Sequence, residues 1–313
     1  MKTSTVRLAV LGDIHGNFPA LEAAVSDARR IGVDDFIFTG DLLTGAAFPV
    51  ETMQLIQSLH PRVIVRGNHE GYLASVQAGT APDGWQTSPQ WAGLRWTYRQ
   101  LGDEAVSQLA ALPAAQVEDF EGAGSVRVVH GSPNSPFEGL VPLKPDVVNV
   151  FRRAGILAGG RPVPLTRAVQ GVDETVLVCG HTHIPWSERV NGCLGVNPGA
   201  AGASIVGSPA SCYAILEGSA QGWYATLHSV PYDLRPVREA CINRGLLEEG
   251  GVVTRALLLN AETGWNVALA LIEYAYRLAG VDWPKSRLLP DEIWARAEAT
   301  FDWEGACQGR LVF

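Results

Sequence analysis

The chain has 313 residues, 47 % of them apolar and 18 % charged, with a formal net charge of −8 and a pI near 5.4. This length allows one large domain or a core with an attachment, and the acidic balance argues against a surface built for broad nucleic-acid binding. No apolar run approaches the ~20 residues of a membrane span, and Met1-Lys2-Thr3-Ser4-Thr5 shows no signal peptide, so a cytoplasmic protein is expected.

The apolar run Val6 to Leu11 predicts a buried strand, followed at once by Asp13-Ile14-His15-Gly16-Asn17. Phe18, Leu21, Val25, Ala28 and Ile31 recur at helical spacing, with Asn17 as N-cap, Pro19 in the first turn and Gly32 at the end. A strand over 35–39 leads to Gly40-Asp41, and a helix over about 50–59 follows. His60-Pro61 then breaks the chain before a strand over 62–66 that runs into Gly67-Asn68-His69-Glu70. This βαβαβ opening implies a parallel sheet with right-handed crossovers.

Residues 71–124 hold Trp85, Trp91, Trp96 and Tyr98 and a helix near 103–111. The segment follows Asn68-His69 directly and reads as a cap-like insertion. Its aromatics read first as the insertion's own small core, and second as a stacking surface for a nucleobase. A strand over 126–129 ends at His130-Gly131, before a proline-rich loop from Ser132 to Pro145. Val176 to Val178 precede Gly180-His181-Thr182-His183, and runs near 187–190, 193–197, 211–216 and 223–230 predict an antiparallel meander. Cys179, Cys193, Cys212, Cys241 and Cys307 form no disulfide or zinc-knuckle pattern and read as reduced core residues.

A helix over 263–280 carries two apolar faces: Trp265, Leu269, Ile272, Tyr276 and Ala279 on one, and Val267, Leu271, Tyr274 and Leu278 on the other. Such a helix is buried on more than one side. The expected organisation is a catalytic domain over 1–233 and a helical extension over 234–313, packed on the core, with a homodimer through these helices as a second use.

The polar clusters share one setting. Each lies just beyond an apolar run, where α/β sheets bind ligands at their strand ends. Carboxylate, imidazole and amide donors suit a divalent transition metal, and in an extended chain residues i and i+2 point to one side, so Asp13 and His15 can reach one ion.

The ordered set Asp13-x-His15, Gly40-Asp41, Gly67-Asn68-His69-Glu70, His130-Gly131 and Gly180-His181-x-His183 resembles the calcineurin-like metallophosphoesterases. Val196-Asn197-Pro198-Gly199 and Val230-Pro231-Tyr232-Asp233 look like the compact bacterial and archaeal phosphodiesterase branch, so that the likeness spans roughly residues 6–233. The resemblance implies a four-layer α/β/β/α sandwich and two divalent metals, manganese first, with iron, nickel, zinc or cobalt as alternatives. Metal one would take Asp13, His15, Asp41 and His183; metal two would take Asp41, Asn68, His130 and His181. A water or hydroxide between the ions would attack the phosphorus of a small phosphoester or nucleotide, with a phosphodiester the first choice and a monoester or nucleoside polyphosphate the alternatives. His69, without a metal assignment, would protonate the leaving oxygen or stabilise the phosphoryl group.

Other candidates read as structural: Glu70 as a helix-start carboxylate, Asn17 as a cap, His60 and His228 as outside the motifs, and Arg66, Arg95 and Arg99 as solvated or salt-bridged. One departure stands out. Where relatives often continue toward an arginine after Asn197-Pro198-Gly199, this chain has Ala200-Ala201-Gly202-Ala203-Ser204-Ile205, which puts inherited substrate specificity in doubt. Two other classes are weighed. One is a metal-bound interaction scaffold, disfavoured because His69 and every proposed ligand are present. The other is a nuclease, which lacks the Lys/Arg run that it would need.

Overall fold

A computed structural model describes residues 5–159, 161–281 and 288–313. The first strand sets the layering. Leu8 and Val10 face one side, Ala9 and Leu11 the other, and all four are fully buried. Alternation of period two with both faces apolar demands a layer on each side of the sheet.

The first half of the chain runs β1 (Val6–Leu11), α1 (Phe18–Ile31), β2 (Asp35–Phe38), α2 (Pro49–Ser58), β3 (Val63–Ile64), α3 (Asn68–Gln77), α4 (Ala92–Ala110), β4 (Ala115–Phe120) and β5 (Gly124–Val129). It continues through β6 (Gly139–Val141), α5 (Pro145–Arg153), α6 (Ile156–Gly159), β7 (Pro162–Pro164), α7 (Leu165–Ala168), β8 (Val176–Val178), β9 (Trp186–Val190) and β10 (Cys193–Asn197). The rest comprises β11 (Ser211–Ser219), β12 (Gly222–Val230), α8 (Arg235–Asn243), α9 (Leu246–Thr263), α10 (Val267–Ala279), α11 (Asp291–Thr300) and α12 (Trp303–Cys307).

Two five-stranded sheets form, β12-β11-β1-β2-β3 and β4-β5-β8-β10-β9. In the first, β1, β2 and β3 are parallel as expected, and β11 and β12 add antiparallel strands. In the second, β5, β8 and β10 are parallel, flanked by antiparallel β4 and β9. Leu8, Val10 and Ile37 meet Val126, Val128 and Val178 between the sheets. Helix α1 covers the first sheet through Leu21, Val25 and Ala28. Phe151 and Leu165 cover the second, over Leu177 and Cys179. This is the α/β/β/α sandwich, with a helical C-terminal extension beyond it.

Three local expectations change. The runs from 187 to 230 are not one meander, because β9 and β10 stay in the second sheet while β11 crosses to pair with β1. Segment 71–124 ends in a strand of the second sheet, β4, whose alternating exposure and charged Glu118 and Asp119 mark an edge. The helix read over 263–280 begins later, and Thr263 belongs to the helix before it. Gly264 at φ 72° ends α9 in the left-handed conformation, and α10 starts only at Val267. Trp265 therefore lies off the helix, against Gly207 and Gly309.

The extension has its own core, including Val253, Ala256, Leu271, Trp294 and Ala297. A second apolar seam joins it to the sandwich, where Val237, Cys241, Leu246 and Leu258 pack on Ala47 and Trp96. Hydrogen bonds fasten the seam: Trp96 Nε1 donates to Arg244 O (3.2 Å) and Asn266 Nδ2 to Ala154 O (2.9 Å). Among the described residues no helix is long and apolar enough to cross a membrane.

Candidate metal centre and the cavity beside it

The carboxyl ends of β1, β2, β5 and β8 release the chain into tight loops that converge, and the N-terminus of α3 joins them. Asp13, His15 and His183 form one group whose ligand atoms lie within 4.8 Å of one another, and Asp41, His130 and His181 form another. Asn68 belongs with the second, its Oδ1 lying 3.0 Å from both His130 Nε2 and His181 Nδ1. All seven residues singled out in the sequence thus meet at one edge of the sandwich.

The way they converge differs from the extended-chain argument. Asp13, His15, Asp41, His181 and His183 all have positive φ, between 49° and 67°. The chain turns left-handed at the strand ends, a conformation that non-glycine residues rarely adopt and that costs ~1–3 kcal/mol each. Loops 40–41 and 67–68 also approach so closely that a Cβ on Gly67 would fall 2.2 Å from Asp41 Oδ1.

Backbone carbonyls fix the imidazoles. Nδ1 of His15, His130 and His183 sits 2.8–2.9 Å from the carbonyls of Thr44, Thr39 and Ala203 respectively. A carbonyl only accepts, so each Nδ1 carries the proton and Nε2 is turned inward, the usual arrangement around metal-binding histidine. His15 Nε2 and His183 Nε2 then face each other at 3.1 Å. In the neutral rings these are two lone pairs aimed at the same space, an arrangement that a cation relieves. The nitrogen and oxygen donor set fits a divalent transition metal.

Electrostatics are strained in the same region. Burial, reinforced by the charges of His183 and His69, pushes His15 well below the usual imidazole range. Burial and His130 depress His181 to about 3. Burial also disfavours charge on His130, but the Asp41 carboxylate outweighs it and raises the imidazole to about 9. Burial raises Asp13 to about 6 against the pull of His183 and His130. For Asp41 burial is overridden by the same His130 charge, which holds it well below the carboxylate range.

His69 belongs to neither group. Its Nδ1 lies 2.5 Å from Thr44 Oγ1, its Nε2 lies 3.9 Å from Asp41 Oδ2, and its backbone N–H donates to Asp41 Oδ1. It lines the cavity beside the cluster.

Sequence reasoning undervalued two residues. Glu70 is fully buried and accepts from the backbone N–H groups of Asp41, Leu42 and Gly67 at 2.8–2.9 Å, tying two ligand-bearing loops together. The Glu at N3 signalled a helix start, but nothing local announced the bonds to residues 41 and 42. Asn197 fastens the third loop, its Nδ2 donating to Gly180 O (2.7 Å) and Thr182 Oγ1 (3.1 Å). Asn17 caps α1 as expected and also donates to Gly202 O and Tyr232 Oη. Cys179 is buried with a raised thiol and stands outside both groups. Arg66 donates to Ala110 O, Arg95 to Trp85 O and Ser88 O, and Arg99 pairs with Glu249.

A cavity of about 390 Å³ opens beside the cluster. One side is His15, Asp41, Asn68, His69, His181 and His183; another is Tyr72, Trp91 and Leu94; Gly202, Ala203 and Ile205 of the arginine-less segment form a third. Helices α9 and α10 complete it with Val253, Leu257, Ala261, Leu269 and Ile272. Trp91 stacks on Trp85 at 3.6 Å between centroids and Tyr72 packs edge-on to both, and all three rest against the core beside the first sheet rather than in a separate core of the insertion.

Residues 6–221 match the calcineurin-like phosphoesterase superfamily domain. An uncharacterised protein of Methanocaldococcus jannaschii is 26 % identical over 243 residues, covering 77 % of this chain and 94 % of that one. A metallophosphoesterase from Sphaerobacter thermophilus superposes with a TM-score of 0.61 at 24 % identity, over 83 % of this chain and 100 % of its own. A hypothetical protein of Pyrococcus horikoshii gives 0.63 at 22 % identity, over 83 % and 98 %. The two structures share the fold.

Proposed function

Because the chain belongs to the calcineurin-like phosphoesterase superfamily, and so is a metal-dependent hydrolase of phosphoric ester bonds, we propose that it cleaves a phosphodiester with the help of two divalent ions. One would be held by Asp13, His15, Asp41 and His183, the other by Asp41, Asn68, His130 and His181, with manganese as the working ion. The observation that carries this reading is the pair of adjacent ligand groups, with inward-facing Nε2 atoms 3.1 Å apart in the first. When bound, such ions supply positive charge to the phosphoryl oxygens and acidify a water for attack.

The chain's own residues do the rest. The N-terminus of α3, at Asn68 and His69, points its positive end at the same place and favours an anion there. His69 stands beside Asp41 without a ligand role, placed to give a proton to the leaving oxygen or to stabilise the phosphoryl group. Glu70 and Asn197 hold the loops that present the donors. In this reading residues 1–233 are the catalytic unit, 71–124 flank its site, 234–313 are an extension, and the enzyme works in the cytoplasm.

The test is turnover of bis(p-nitrophenyl) phosphate by purified protein with added manganese. Hydrolysis that a chelator abolishes and fresh metal restores is the expected result. No hydrolysis of this diester or of p-nitrophenyl phosphate with manganese, iron, nickel, zinc or cobalt would overturn the proposal.

A further inference from the structure

We propose that the cavity wall made by α9 and α10 is a subsite for an uncharged, apolar organic group of the phosphoester. The inference rests on the phosphodiesterase reading and names the class of substrate for the same site. Leu257, Leu269 and Ile272 line the cavity yet are only half-buried. Apolar surface left open beside a polar cluster gains from being covered by apolar substrate.

Charge argues the same way. Among the described residues no lysine or arginine lines the cavity, and the segment with no arginine contributes Gly202, Ala203 and Ile205 instead. A nucleoside polyphosphate would bring further negative charges and find no lysine or arginine among the lining residues to meet them. Nor is the wall equipped for a sugar or base. Asn260 Oδ1 accepts from Ala268 N, Asn266 Nδ2 donates to Ala154 O, and Thr254 Oγ1 donates to Gly250 O. Trp91 already has Trp85 against one face.

The experiment compares alkyl p-nitrophenyl phosphate diesters from methyl to octyl, with thymidine 5′-(p-nitrophenyl phosphate) as the nucleotide comparator. In parallel, calorimetry measures methyl- and octylphosphonate binding to metal-free protein. For the wild type, kcat/KM should climb by up to about fourfold per methylene, the equivalent of ~0.8 kcal/mol per buried CH₂, until the cavity is full. Octylphosphonate should bind more tightly than methylphosphonate. Leu257→Gln should cut the octyl-to-methyl ratio roughly tenfold, and Leu269→Phe, which adds bulk but no polar group, should shorten the chain length at which the ratio levels off.

A flat ratio with chain-length-independent phosphonate binding would overturn the subsite and leave the hydrolase standing, as would a preference for the thymidine ester over the octyl ester. Chain-length-dependent binding without turnover of any ester would sustain the subsite and sink the catalytic reading.

Discussion

At Asp13, His15, Asp41, His181 and His183 the backbone is held left-handed, and something must hold it there. Glu70 supplies much of the restraint at Asp41, since its carboxylate takes three buried N–H groups from two loops. Replacing it with alanine leaves those donors without a partner, at ~1–3 kcal/mol for each on its own. Glu70→Ala should therefore lose about 3–5 kcal/mol of unfolding free energy and most activity. A denaturation midpoint equal to the wild type would mean that the loops hold themselves. His69→Ala should keep its metals, because His69 lies in neither ligand group, yet lose ~10²–10⁴-fold in turnover. That loss should shrink for a p-nitrophenolate leaving group, which needs no proton; equal losses for good and poor leaving groups would leave His69 only an electrostatic role. Metal loading should also follow pH with a definite sign. The His130 imidazole, raised by Asp41 to about 9, must lose its proton to bind an ion, and Asp13, raised by burial to about 6, must do so at lower pH. Metal affinity should then increase with pH up to about 9 and fall more steeply below about 6. Manganese titrations from pH 5.5 to 9 test this, and an affinity independent of pH would contradict it.

At the level of elements, the extension has two faces with different duties. Val237, Cys241, Leu246 and Leu258 seal it to Trp96 and Ala47, while Leu257, Leu269 and Ile272 border the cavity. Ending the chain after Asp233 should remove both sets and uncover Trp96 and Ala47 on the sandwich. The shortened protein should melt at lower temperature and aggregate more readily, while binding metal through donors that all lie before residue 184. Unchanged melting and solubility would make the extension dispensable. Much of the element pattern was legible: the βαβαβ opening, the cap at Asn17 and the run of strands after residue 186 follow from local periodicity and turn chemistry. The division at Gly264 was missed because apolar residues continue across it, so spacing alone extended the helix through a left-handed cap. Strand β4 was missed because an edge strand carries charge where a core strand carries valine.

For the whole molecule, the strand-end clusters were legible because histidine, aspartate and asparagine directly after buried strands have few structural uses. The sequence could not say which strands share a sheet. That choice depends on pairings such as Val6 with Gly218, formed between residues far apart in the chain. Nor could it show that a tail beginning after residue 233 would border the same cavity as His15 and His183, since no local pattern encodes that approach. The convergence of Asp13, His15, Asp41, Asn68, His130, His181 and His183 is the center of the account, and its most direct test is the number of ions that they hold. Protein prepared without chelator, saturated with manganese and freed of excess ion, should carry about two equivalents per chain by elemental analysis, the stoichiometry of a two-ion site, and lose both in Asp41→Asn. One equivalent at saturation, or two that survive that substitution, would contradict the two-metal centre.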